Sequence, residues 1–279
     1  MIYLLATTII WAFSFSLIGH FLSPIMDSWS LSFFRTAIAL VVFLPFIDFK
    51  IPKKHKFCMV LIGSIQIGIM YLLYLNAFQY TSVSKILLFT ITTPVYVTIF
   101  ADFINKKFRS IFFVLSAVSV IGALILRYTL LSQNDIIGFF LIQGANACFA
   151  AGQVLYKYFE KWTGRLSNGL SDFAYFYIGA LIFTSIGYFT SSNYNPLPSD
   201  LFSWVLIIWM GVVASGLGFY FWDRGALLVS SGTLAVMNNL VIPLGLLVEI
   251  FFFDQILDAK TYLIGTLIII VTIIISVRN

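Results

Sequence analysis

The sequence predicts an all-α polytopic membrane protein, with ten transmembrane helices arranged as two inverted five-helix repeats. Three observations lead there. Of 279 residues, 61% are hydrophobic and only 10% charged, whereas a soluble domain carries roughly 25% charged residues. The apolar residues fall into ten runs, each near the ~20 residues that cross a bilayer at 1.5 Å per residue. The two halves also look alike. Ala77, Ser82 and Pro94 recur as Ala226, Ser231 and Pro243 at one offset of 149, and GSIQIG at 63–68 is echoed by GVVASG at 211–216.

The runs are 2–22, 28–47, 57–78, 83–103, 108–128, 135–157, 170–190, 201–222, 229–253 and 260–277. The first opens without a basic n-region and without a small-residue cleavage site, so it reads as a retained helix. The connections are short and leave no room for a soluble catalytic domain. Five helices separate the repeat anchors. An odd number inserts the copies with opposite orientation, so units 1–130 and 131–279 are expected to be inverted relative to each other, a transporter architecture with its site at the midplane. Basic residues crowd the loops after helices 2, 4, 6 and 8 and the C-terminus, twelve against the three of Lys85, Arg127 and Lys260 on the other side. By the positive-inside rule both termini of this multi-pass protein are expected to be cytoplasmic.

Several function classes drop out. The net charge of +5 is distributed over loops and is no nucleic-acid signature. Cys58 and Cys148 sit in different helices, without a CxxC or zinc spacing. Neither HExxH, G-x-S-x-G nor a Walker A loop is present. No catalytic residue, metal or cofactor is expected, and any transport is expected to be secondary, driven by a gradient.

Taken in order, the helices carry polar groups that hydrocarbon tolerates poorly. Helix 1 has Trp11 and Ser14 three apart, hence on one face. Helix 2 has Arg35, about two turns in. Helix 3 has Gln66, then Tyr71 and Tyr74. Helix 4 has Thr90, Thr92 and Thr93 before Pro94, helix 5 ends at Arg127, and helix 6 has Asn146 and Gln153. Helix 8 combines small residues, Gly211, Ala214, Ser215 and Gly218, with a closing Trp222. Helix 9 carries Asn238 and Asn239 at its middle, with Glu249 near its far end. Uncharged amides, hydroxyls and indoles at one depth suit a ligand with a hydrogen-bonding head and an apolar body.

Blander roles stand beside these. A lone Thr or Ser can bond back to its own helix, Trp222 can be an interfacial anchor, and the amide pair can simply join helices. Arg35 is either part of a cationic vestibule for a carboxylate or a structural ion pair, with Glu249 neutralising one arginine. Glu249 is the one proton-carrier candidate.

WAFSFSLIGHFL, the arginine of SFFRTAIAL, LLFTITTPVY and GVVASGLGFYFW…GTLAVMNNLVIPLGLLVE resemble the drug/metabolite transporter superfamily, EamA-like carriers of ten helices. WAFSFS, MDS, LLFT, IGALILRY and GTLAVMNN are similar to its biotin-transporter branch. Where many members carry a glutamate after helices 4 and 9, this sequence has Asn105 and Asp254. The resemblance implies a small-molecule substrate, biotin first, with efflux of amino acids or related metabolites as the alternative. It implies a ureido head near Asn146, Asn238 and Asn239, a bicycle on Trp11, and a carboxylate toward Arg35 or Arg127. The partners are then that substrate and the lipid bilayer, with a homodimer left open. A scaffold or sensor subunit is the non-carrier reading, and there Asn238→Leu and Asn239→Leu would leave activity intact.

Overall fold

The structure is a computed structural model that describes residues 1–126, 132–164, 169–190 and 197–278. Among these, ten long helices account for the ten apolar runs. They are α1 (Ile2–Leu22), α2 (Ser28–Phe46), α3 (Lys53–Ala77), α4 (Val83–Asn105), α5 (Ser110–Leu126), α6 (Gln133–Lys157), α7 (Leu170–Thr190), α8 (Leu201–Leu227), α9 (Ser231–Phe252) and α10 (Ala259–Arg278). Nine are long and apolar enough to cross a membrane, and α5 is described over 17 residues, the low end of the spanning range of about 17–25. A short helix, Phe159–Thr163, follows α6. Val41, Phe140, Phe189 and Leu267 are among the large apolar side chains left exposed, a surface that lipid rather than water solvates. The protein is all-α and polytopic.

Two helices are longer than hydropathy marks them. α3 begins at Lys53, because a polar first turn continues the same helix and buries His55 against Asp172 at 2.7 Å. α8 runs five residues past Trp222. The pair Asp223–Arg224 ends the apolar run but not the hydrogen-bonded ladder, which Gly225 and Ala226 extend.

Short polar residues start the helices. Asp27 accepts the N–H groups of Trp29 and Ser30 at the head of α2. Ser132 and Asp135 form a reciprocal capping box on α6. Ser203 N–H donates to Asp200 at 2.8 Å ahead of α8, which holds that carboxyl below its usual range. Asp135 also receives Lys85 at 2.7 Å and so fastens the start of α4 to the start of α6.

The packing has an internal correspondence. α2 lies on α7, α4 on α9 and α5 on α10, while α1 touches α8 and α9 as α6 touches α3 and α4. Irregularities recur in the same way. π-helical turns interrupt α3 at Ser64–Ile69 and α8 at Met210–Leu217. Tight 3-10 turns interrupt α4 at Thr90–Thr92 and α9 at Asn238–Leu240. The last two have one cause: Pro94 and Pro243 lack an N–H, and their rings crowd the carbonyl four residues back. The seam between α3 and α7 is tighter than any side chain permits. A Cβ on Gly63 would lie 1.8 Å from the Phe176 carbonyl oxygen, and one on Gly179 would lie 1.9 Å from that of Val60.

Candidate functional site: a cavity with an unpaired arginine

Seven helices surround one cavity in the middle of the bundle. Its space, open solvent included, is about 730 Å³. α1 contributes Thr8, Trp11, Ser14 and Phe15, a three-and-four spacing that puts all of them on one face.

Arg35 of α2 reaches the cavity almost wholly buried, at 2% exposure. Its Nε donates to Ser215 Oγ at 3.2 Å and its Nη2 to Tyr71 Oη at 2.9 Å, and the guanidinium stacks 4.3 Å from the centre of the Tyr71 ring. Tyr71 and Ser215 are themselves 2.7 Å apart. Nη1 has no partner. Glu249 does not neutralise this arginine, contrary to the structural reading of the sequence. It is bonded to His20 at 3.1 Å, and the His20 ring stacks on Phe253. Glu249 projects near the far end of α9, where α1 ends, so His20 is what it meets.

An aromatic group forms another wall. Trp11 packs against Phe149, Phe219 and Trp222 with ring centres 5.1–5.4 Å apart. The π-helical stretch of α8 turns backbone carbonyls inward, and Trp11 Nε1 donates to that of Ala214 at 2.9 Å while Tyr177 Oη donates to that of Ser215 at 2.8 Å. Trp222 is 1% exposed and donates to Gln153 Oε1 at 3.0 Å. It is an interior residue, not an interfacial anchor.

Amides occupy the remaining wall. Asn146 Nδ2 donates to the Phe89 carbonyl at 2.9 Å and to Thr92 Oγ1 at 3.1 Å. Asn238 Nδ2 donates to Leu234 O at 2.8 Å and to Gln153 Oε1 at 3.3 Å. Both amides therefore spend their hydrogens on protein, and Asn238 Oδ1 in turn accepts from Gln153 Nε2 at 3.5 Å.

Of the residues singled out from sequence, Trp11, Ser14, Arg35, Tyr71, Tyr74, Thr90, Thr93, Asn146, Trp222 and Asn238 line this cavity. Gln153 stands behind Trp222 and Asn238. Asn239 turns away and donates to Ser119 Oγ of α5 at 2.9 Å, and Gln66 is buried against Asp223 at 2.9 Å. Arg127 lies outside the described residues. Ser215, Tyr177, Phe149 and Phe219 went unnoticed as site residues in the sequence. Ser215 stands in the sequence only as one of the small residues of helix 8, and Asp223 falls just past the apolar run 201–222. Among the described residues, no group of three or more His, Cys, Asp or Glu could hold a metal ion.

A helical membrane bundle around a buried cavity with cationic, aromatic and amide walls is the class of small-molecule transporters. Residues 1–128 match the model of the EamA-like transporter family. The chain is 38% identical to a probable biotin transporter of Pseudomonas aeruginosa, over 98% of this chain and 96% of that protein. It is 37% identical to the biotin transporter of Escherichia coli K12, over 98% and 91%. One solved crystal structure superposes with a TM-score of 0.74 at 12% identity, covering 100% of this chain and 98% of its own, a likeness of fold alone. The chain belongs to the EamA-like transporter family, in its biotin-transporter branch.

Proposed function

We propose that the protein imports biotin across the bacterial inner membrane as a secondary carrier, by alternating access between two oppositely inserted five-helix units, residues 1–130 and 131–279, with both termini in the cytoplasm. The observation that carries the substrate is the unpartnered Nη1 of Arg35 in the cavity wall. A buried guanidinium with a free N–H and no acid beside it is a receptor for a carboxylate. Biotin brings one on a flexible chain. Its apolar bicycle matches the wall of Trp11, Phe149, Phe219 and Trp222. Its two ureido N–H donors match the amide oxygens of Asn146 and Asn238, the latter with a second lone pair beside the bond it accepts from Gln153 Nε2. The names of the relatives support the substrate, the matching helix contacts and proline breaks support the two units, and the excess of basic residues on one set of loops supports the orientation.

The test is uptake of labelled biotin at trace concentration by cells lacking their own carrier. Uptake above the vector control is expected, and its absence rejects biotin. An amino acid also presents a carboxylate to Arg35, so efflux is the second reading. It would show as raised tolerance to amino-acid analogues without improved growth on scarce biotin.

A further inference from the structure

Asp223 is fully buried near the end of α8, directly after the cavity residue Trp222. Its Oδ1 accepts from Gln66 Nε2 at 2.9 Å. Among the described residues its Oδ2 has no hydrogen-bond partner, and neither has Oε1 of the same Gln66. An ionised carboxylate left this way inside a membrane bundle is strongly disfavoured. A neutral acid facing a carboxamide can instead exchange two hydrogen bonds, Nε2–H to Oδ1 and Oδ2–H to Oε1, which employs both orphaned atoms.

Nearby charged and titratable groups have other partners. On α2 and α3, Arg35 and Tyr71 are bonded to each other and to Ser215. On α6, the Lys157 ammonium donates to the Ala226 carbonyl at 2.6 Å and also to that of Val229. On α7, Tyr177 donates to Ser215 O, and Asp172 is paired with His55 of α3. α1 presents Tyr3 against Phe221, and Arg224 is the neighbour on α8 itself. No described salt bridge reaches Asp223.

We propose that Asp223, held by Gln66, is a proton-binding site that couples transport to the transmembrane proton gradient, an inference that rests on the carrier reading. Phe219 and Trp222 line the cavity, and Asp223 is buried on the same stretch of α8. Exchange of the proton with water requires that burial to open, which ties protonation to the conformational cycle. One proton is taken up at Oδ2 from water on one side and released unchanged to water on the other. It cancels the charge of a monocarboxylate that would otherwise enter against an inside-negative potential.

The test compares wild type with Asp223→Asn, whose amide keeps both hydrogen bonds to Gln66, in liposomes. The variant is expected to go on exchanging labelled for unlabelled biotin while losing accumulation driven by an inward proton gradient. Accumulation equal to wild type would overturn the proposal, as would joint loss of exchange and thermal stability, which marks a structural residue. If wild type itself exchanges no biotin, the substrate is wrong, and infrared spectroscopy still decides the proton site. A protonated-carboxyl band at neutral pH, present in wild type and missing in Asp223→Asn, supports it; identical spectra overturn it.

Discussion

Lys85 and Arg35 are both cations within membrane-length helices, and the bundle treats them in opposite ways. Lys85 gives its ammonium to Asp135 at 2.7 Å, and that aspartate also caps α6. His55 likewise has Asp172, and His20 has Glu249. Among the described residues Arg35 meets hydroxyls and one aromatic face, with an N–H left over at a cavity wall. Desolvating a guanidinium without a counter-charge is costly, and the fold gains no ion pair in return. The contrast teaches that in this bundle a paired charge fastens helices, whereas Arg35, among the described residues, keeps an N–H without an acceptor, which is what the proposed carboxylate would supply.

The largest expected effect breaks the comparison at Arg35. A hydrogen bond to a charged group contributes about 1.5–3 kcal/mol, so Arg35→Gln should raise the apparent KM for biotin about 13- to 160-fold in uptake assays. Arg35→Lys should lie between, because an ammonium lacks the planar fork. Wild-type kinetics in Arg35→Gln would mean the arginine is structural after all. Next in size, Asn146→Leu and Asn238→Leu each remove a neutral acceptor worth about 0.5–1.5 kcal/mol, or about 2- to 13-fold in KM. The paired side of the comparison is sharpened by a double-mutant cycle on Lys85→Met and Asp135→Asn. Unfolding in detergent should give a coupling of about 0.2–1 kcal/mol, with KM unmoved. Smallest is Asn239→Ala. Losing its bond to Ser119 should cost about 0.6 kcal/mol of stability, while labelled-biotin uptake keeps its wild-type KM; a shifted KM would bring Asn239 back into the site.

The ten helices were legible because each is a run of apolar residues bounded by polar ones, and hydrocarbon imposes that pattern directly. Arg35 was legible for the converse reason: a cation deep in such a run has to be accounted for. The amide pair was legible only by half. Asn238 and Asn239 are adjacent in sequence, but consecutive helical residues point about 100° apart at 3.6 residues per turn. One therefore meets the cavity and the other meets Ser119 on α5. Asp223 was hidden by its neighbour. Beside Arg224 it resembles the polar end of a helix, and only the packing of α3 against α8, which carries Gln66 to it, reveals an interior acid. The partner of Glu249 was hidden too, since no local pattern says which helix end meets which.

The glycine contact between α3 and α7 limits how this molecule can change shape. Where Gly63 and Gly179 bring two main chains together, there is no layer of side chains to repack and so no soft joint. A methyl group at either position would meet a carbonyl oxygen of the facing helix, so Gly63→Ala or Gly179→Ala could be housed only by prising the two backbones apart.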